Sequence, residues 1–126
     1  MPAHPLATSI HQLLIPCKDV LRSTAFYRDV VGLQFLFEAT GLAFFDCGGV
    51  RLMLSNAPDE KLDLLNSVIY FGTADIDGAT NEVVAKGGEL ISAPHVIARL
   101  PGRDVWLSHW KDLEGNRMSF MQEKPA

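Results

Sequence analysis

No apolar stretch in this sequence approaches the roughly 18 consecutive residues that a membrane-spanning helix needs, so no membrane partner is expected. Basic excess is missing as well: 11 Lys and Arg stand against 15 Asp and Glu, for a net charge of −4. A protein whose main partner is nucleic acid needs a basic face to meet phosphates, and this composition argues against one. Cysteine is scarce. Cys17 and Cys47 make no disulfide framework. Both lie in apolar runs and read as small core residues; the other reading, a reactive thiol, lacks a histidine close by in sequence. Met1 to Thr8 shows neither the basic nor the apolar region of a secretory leader, so the expected compartment is the cytoplasm. What is present fits one domain: 126 residues, 48% of them hydrophobic, are enough to bury a core without staples.

The chain says one phrase twice. Asp46 to Leu54 reads D-C-G-G-V-R-L-M-L and Asp112 to Phe120 reads D-L-E-G-N-R-M-S-F. Laid over each other, Asp46 matches Asp112, Gly49 matches Gly115 and Arg51 matches Arg117. Each phrase ends its half of the chain. Two repeats are too few for a solenoid, so the pattern predicts one domain built of two similar modules.

The first module reads as a strand (Ser9 to Pro16), then a helix opened by the capping carboxylate of Asp19 and closed by Gly32. Strands follow at Leu33 to Glu38, Leu42 to Cys47 and Val50 to Ser55, the last two joined by a tight Gly48-Gly49 turn. Residues 56–66, polar, acidic and holding a proline, read as a linker. The second module repeats the plan. A strand at Val68 to Gly72 leads to a helix capped by Asp75 or Asp77, with Ile76, Ala79, Val83 and Val84 on one face and Gly87 at its end. One or two strand pieces, interrupted at Pro94, are expected over Glu89 to Leu100. The last strands are Val105 to Trp110 and Arg117 to Gln122. The second module is the longer, and its insertion is placed around Ser92 to Arg103.

With that plan, the chain resembles the vicinal oxygen chelate superfamily of glyoxalases, bleomycin-resistance proteins, fosfomycin-resistance enzymes and extradiol dioxygenases. The resemblance covers Ser9 to Glu123. It rests on D-V-L-R-S-T-A-F-Y-R-D-V-V-G-L at Asp19 to Leu33 and on D-L-E-G-N-R-M-S-F-M at Asp112 to Met121, where Leu113 stands in place of the family's proline. The implied fold is α+β: two βαβββ modules (about 9–55 and 67–123) whose mixed sheets curl into a cup, in a chain that pairs as a homodimer. Strand alternation assigns the faces. Val50, Leu52, Leu54, Met118 and Phe120 turn toward the helices; Phe44, Asp46, Arg51, Met53, Ser55, Arg117, Ser119 and Met121 turn toward the cup.

Metal-dependent members of that superfamily hold a divalent ion with side chains from each module's first and fourth strands. Carried over by spacing, those positions are Gln12, Met53, Val68 and Ser119. Thioether, hydrocarbon and hydroxyl are poor partners for such an ion. The expectation is therefore no metal ligand and no cofactor. The alternative is a zinc, nickel, manganese or iron ion held by a non-standard set such as His109, His11 and Asp46.

His109 has two readings: an acid/base group facing the cup, since histidine titrates near neutrality, or a half-buried ring satisfied by a carbonyl. Tyr70 shares a face with Val68 and either binds a polar ligand atom or fills space. Arg51 either attracts an anion or, the favoured reading, pairs with Asp46 near the rim. Trp106 and Trp110 fall on the face opposite His109. Asp75 and Asp77 read as caps and Glu114 as part of a solvated turn. The resulting expectation is a protein that binds a small organic molecule, such as a toxic or antibiotic compound, through Gln12, Phe44, Arg51, Met53, Val68, Tyr70, His109 and Ser119. The runner-up is a divalent-metal enzyme of the glyoxalase-like lyase, isomerase or dioxygenase kind. A cofactor-free enzyme using His109 is the third reading.

Overall fold

The computed structural model describes residues 9–56 and 68–126. Of the expected linker, only Asn56 falls within them. The order is β1 (Gln12–Pro16), α1 (Val20–Ala25), a π-helical continuation (Phe26–Val31), β2 (Gln34–Ala39), β3 (Leu42–Cys47), β4 (Val50–Ser55), β5 (Ile69–Gly72), α2 (Ile76–Ala85), β6 (Glu89–Leu100), β7 (Arg103–Lys111) and β8 (Arg117–Pro125). That is βαβββ stated twice. The strands form two mixed sheets, ordered β1-β4-β3-β2 and β5-β8-β7-β6. In each, the first strand of the module pairs parallel with the last, and the other neighbours are antiparallel.

Local chemistry sets the element ends. Asp19 accepts the Arg22 backbone N–H at 3.0 Å, and Asp75, not Asp77, accepts that of Gly78 at 3.1 Å. Each satisfies one of the free donors of a first helical turn. Asp77 instead takes the Lys124 ammonium at 3.3 Å. The Gly32 N–H reaches back to the Tyr27 carbonyl at 3.1 Å, the wider spacing of a π-helical turn. Phe26 and Tyr27, adjacent in sequence, are both buried where the spiral widens. The β3–β4 hairpin turns on Gly48 and Gly49, with φ of +60° and +94°, a conformation that side chains with a Cβ avoid.

One core serves both modules. Phe45, Leu52 and Leu54 of the first sheet pack with Phe26 and Tyr27, and these meet Trp110, Phe71 and Met118 of the second. The Phe26 and Trp110 rings lie 6.2 Å apart across the junction. As expected, Trp110 is on the helix side, fully buried. Trp106, partly buried, carries the Lys124 ammonium 4.4 Å above its ring.

The junction is fastened by a buried carboxylate. Tyr27 Oη donates to Asp112 Oδ2 at 2.8 Å, and the Asn116 side chain donates to the same oxygen at 3.0 Å. Asp112 Oδ1 accepts the backbone N–H groups of Glu114 and Asn116. Asn116 Nδ2 also reaches the Pro16 carbonyl at 2.7 Å. Burial, then the neighbouring Asp112 charge, push the Tyr27 phenol well above its ordinary pKa, so it stays a donor.

Several expectations need correction. Glu114 is not simply part of a solvated turn: its carboxylate accepts the N–H groups of Lys18 and Asp19, each at 3.0 Å, and so ties the β7–β8 hairpin to the start of α1. The strand over Glu89 to Leu100 is continuous through Pro94. β6 is an edge strand, and its pairing with β7 shifts register between Ser92 and His95, so a residue without an N–H is tolerated there. β5 begins at Ile69, one residue after Val68, and β8 runs on to Pro125.

Removing one hydroxyl tests the fastening. Tyr27→Phe keeps the buried ring and is expected to lower unfolding free energy by about 1–2 kcal/mol. Asp112→Ala strands several buried donors and is expected to cost about 3 kcal/mol or more. Urea unfolding measures both, and equal stability of Tyr27→Phe and the native chain would contradict this assignment.

Candidate functional site

The outer face of the first sheet is assembled by register. Gln12 lies beside Arg51, Met53 beside Phe44, and Phe44 beside Phe37. Alternation alone puts Phe35 and Phe37 on one side of β2. The register shift between them separates the two: Phe35 packs on Phe45 in the core, ring centroids 5.7 Å apart, while Phe37 stacks on Phe44 at 4.4 Å with 24° between planes. Phe37 keeps 49% of its surface in water.

Arg51 does not make the expected pair with Asp46. The two are cross-strand neighbours, but among the described residues no ion pair joins them. Arg51 Nε donates instead to Gln12 Oε1 at 2.8 Å, and its guanidinium carbon stands 5.5 Å from the centre of the Phe44 ring. The parallel β1–β4 register brings the amide within reach, and the ring face favours the cation. Gln12 Nε2 in turn approaches Met53 Sδ at 3.7 Å.

The corresponding face of the second sheet is a cluster around an imidazole. His109 and Ser119 are direct partners across β7 and β8, and Tyr70 pairs with Ser119 across β5 and β8. His109 Nδ1 and Ser119 Oγ share a short hydrogen bond, and Ser119 has no exposed surface. The Tyr70 ring meets the His109 ring edge-on at 6.3 Å, and the His95 ring lies 6.4 Å away on the other side. His95 Nδ1 contacts the Ala93 carbonyl at 2.8 Å. A carbonyl only accepts, so Nδ1 of His95 is the donor. Burial, then the charge of Arg117, then that of His95 lower the His109 pKa from its ordinary 6.5. The ring is therefore neutral at pH 7, able to accept a proton or a hydrogen bond.

His95 and Phe37 were not among the expected site residues. Both stand where a bulge breaks simple alternation, and Pro94 hid the strand that carries His95. The rest of the expected set divides in two. Gln12, Phe44, Arg51 and Met53 share one face; Tyr70, His109 and Ser119 share the other, with Val68 two residues before Tyr70. Among the described residues no hydrogen bond, ion pair or ring contact joins the two groups. A cavity of about 200 Å³ where the modules meet is lined by Leu13, Leu52, Ile69 and Phe71, and of the expected residues only Tyr70 lines it. A larger one, about 720 Å³, lies at the start of α1 and the β2–β3 turn, away from all of them.

The superfamily's four ligand positions do not fit a divalent ion. The Gln12 oxygen is bound to Arg51, Met53 offers a thioether, Val68 a hydrocarbon, and the Ser119 hydroxyl is buried against His109. Among the described residues of the single chain, no three of His, Cys, Asp and Glu are gathered together. The thiols suit a structural role. Burial chiefly raises the pKa of Cys17 to about 11 and also lifts that of Cys47, leaving both protonated.

Residues 9–120 match the model of the Glyoxalase/Bleomycin resistance protein/Dioxygenase superfamily. The chain is 25% identical over 119 residues to "Metallothiol transferase FosB" of Staphylococcus epidermidis, covering 88% of this chain and 81% of that one. It is 30% identical over 71 residues to the protein of the same name from Staphylococcus haemolyticus, covering 54% and 51%. In fold it is similar to a lactoylglutathione lyase from Agrobacterium tumefaciens (TM-score 0.70, 22% identity, 92% of this chain and 94% of that one). It is likewise similar to a glyoxalase/bleomycin resistance protein/dioxygenase family enzyme from Burkholderia phytofirmans PsJN (TM-score 0.76, 17% identity, 91% and 98%).

The lowered pKa of His109 has a signed consequence. Above pH 6.5 the ring is neutral in both folded and unfolded chains and no penalty arises. As pH falls through 6.5 the unfolded chain takes its proton first, so stability is lost until the folded ring is protonated too. His109→Gln is expected to flatten the fall in urea midpoint between about pH 7 and pH 5. Proton NMR of the native chain is expected to show the His109 ring titrating below 6.5, and Arg117→Gln to move it upward.

Proposed function

The chain belongs to the Glyoxalase/Bleomycin resistance protein/Dioxygenase superfamily, and from that premise we propose that it binds a small organic molecule without an ion at the family's usual positions. The observation that carries this reading is the state of the four donors: Gln12 and Ser119 are engaged by Arg51 and His109, and Met53 and Val68 bring sulfur and carbon. The same faces are well furnished for an organic ligand. Phe37, Phe44, Met53 and Tyr70 offer apolar and aromatic surface, with Arg51 as a polar group on one face and His109 on the other. Sequestration of a toxic or antibiotic compound in the cytoplasm is the form this binding takes.

The faces are open in the single chain. Phe37 and Tyr70 are each 49% exposed, and the edge strand β6 leaves Leu90, Ile91, Ile97 and Leu100 in water. Apolar side chains exposed along an edge strand mark it as a place where another chain can pack. A homodimer covers it at no cost in new sequence.

The second reading is a divalent-metal enzyme of the lyase, isomerase, dioxygenase or thiol-transferase kind, favoured by the similarity to a protein named as a metallothiol transferase. Metal analysis of protein purified without chelator separates the two. Well below one ion per chain is expected, with any co-purifying small molecule retained through EDTA and detected by native mass spectrometry. A full equivalent of ion, with lactoylglutathione turnover on adding nickel or zinc, would establish the second reading instead. His109→Ala separates pure binding from cofactor-free acid/base catalysis: a binder keeps its fold and much of its affinity, whereas such an enzyme loses turnover by roughly 10²-fold or more. Light scattering is expected to give twice the 13.9 kDa chain mass, and a monomer at all concentrations would remove the homodimer from this account.

A further inference from the structure

We propose that the outer face of the first sheet recognises a planar aromatic monocarboxylate, its ring against Phe37 and Phe44 and its carboxylate on Arg51. The proposal rests on the small-molecule reading above and names the chemical class of the ligand.

The first argument is the placement of Phe37. A half-exposed phenyl ring on a solvent-facing sheet surface is the opposite of the usual alternation of apolar-in and polar-out. It gets there through a bulge, which turns Phe37 onto the ring of Phe44 instead of into the core that Phe35 enters. The result is an open aromatic platform next to the Met53 thioether, a surface that favours another flat ring.

The second argument is the state of Arg51. Its Nε is held by Gln12 and its guanidinium lies beside the Phe44 ring, so the planar group is oriented before any ligand arrives. The two terminal nitrogens have no partner among the described residues, and they form the fork that a carboxylate fits with two parallel hydrogen bonds. Asp46, the cross-strand neighbour of Arg51, limits the charge that can be added. One negative charge offsets the guanidinium. A dianion such as a phosphate monoester meets Asp46 as well, and is disfavoured.

Dimensions agree. Phe37 on β2 is in register with Phe44 and Met53, and Arg51 on β4 lies two residues along from Met53, so two strand spacings of about 4.8 Å and two residue rises of about 3.4 Å put Phe37 and Arg51 about 12 Å apart at the backbone, with the Arg51 guanidinium reaching back to the Phe44 ring. One aromatic ring with a one- or two-carbon arm to its carboxylate reaches from the platform to the fork.

The test uses the full chain and defined probes. Phenylacetate, its neutral amide phenylacetamide, and phenyl phosphate are titrated and followed by backbone NMR shifts. Phenylacetate is expected to perturb β2 to β4 around Phe37, Phe44 and Arg51, and to bind about tenfold more tightly than either comparator. Arg51→Gln is expected to erase the preference for acid over amide while the amide binds as before. Gln12→Ala, which keeps the charge and frees Nε, weakens phenylacetate by a few-fold. Both side chains are exposed, so these variants fold, and unchanged melting temperatures confirm it. Equal binding of acid and amide, or a preference that survives Arg51→Gln, overturns the proposal. So does phenylacetamide binding at Tyr70 and His109 with no response of β2 to β4 to phenylacetate, an outcome that leaves the small-molecule reading intact. Only the failure of every small molecule, co-purified or added, removes both.

Discussion

A carboxylate taken out of water must have its oxygens met by donors, and Asp112 is where this protein satisfies that demand. Two backbone N–H groups occupy one oxygen; the Tyr27 hydroxyl and the Asn116 amide occupy the other. Because the donors come from both modules, satisfying the charge also sets the modules against each other. Asn116 and Glu114 extend the grip to Pro16, Lys18 and Asp19. The same hairpin joins β7 to β8, the strands that carry His109 and Ser119. The geometry of the second face therefore follows from how the first module receives this loop.

Duplication supplied two copies of one scaffold, and the copies have separate chemistry. Arg51 and Arg117 correspond in the repeated phrase. Arg51 is held by an amide over a phenyl ring. Arg117 lies across from Lys111 and acts electrostatically on His109, depressing its proton affinity. One face thus offers a fixed positive charge among aromatic rings, the other a neutral imidazole between a phenol and a second imidazole. Directional groups thus stand on both faces, a guanidinium held by an amide on one and an imidazole bonded to a hydroxyl on the other.

Much of this was legible in the residues. The repeated phrase announced two modules, the capping acids marked both helix starts, and alternation assigned the faces of β3, β4, β7 and β8, since the β3–β4 and β7–β8 pairings run without a shift. Legibility failed where a strand departs from a period of two. On β2 the shift at Leu36 sends Phe35 and Phe37 to opposite sides, which no reading of L-Q-F-L-F-E reveals. On β6, Pro94 looked like a break because the sequence does not say which strands stand at an edge. Contacts between distant segments were equally hidden. Nothing near Glu114 points to Lys18, and nothing near Arg51 says that Gln12, not Asp46, will take its Nε.

Each sheet is sealed by its own first and last strands, β1 against β4 and β5 against β8. A chain leaving the ribosome N-terminus first can therefore complete one sheet while the other is still unmade. The bonds from Tyr27 to Asp112 and from Asn116 to Pro16 span 85 and 100 residues of sequence, so they join the ends of assembly to its beginning. Until they close, Tyr27 has a hydroxyl with no place in an apolar interior, and the nascent first half carries that debt through most of translation.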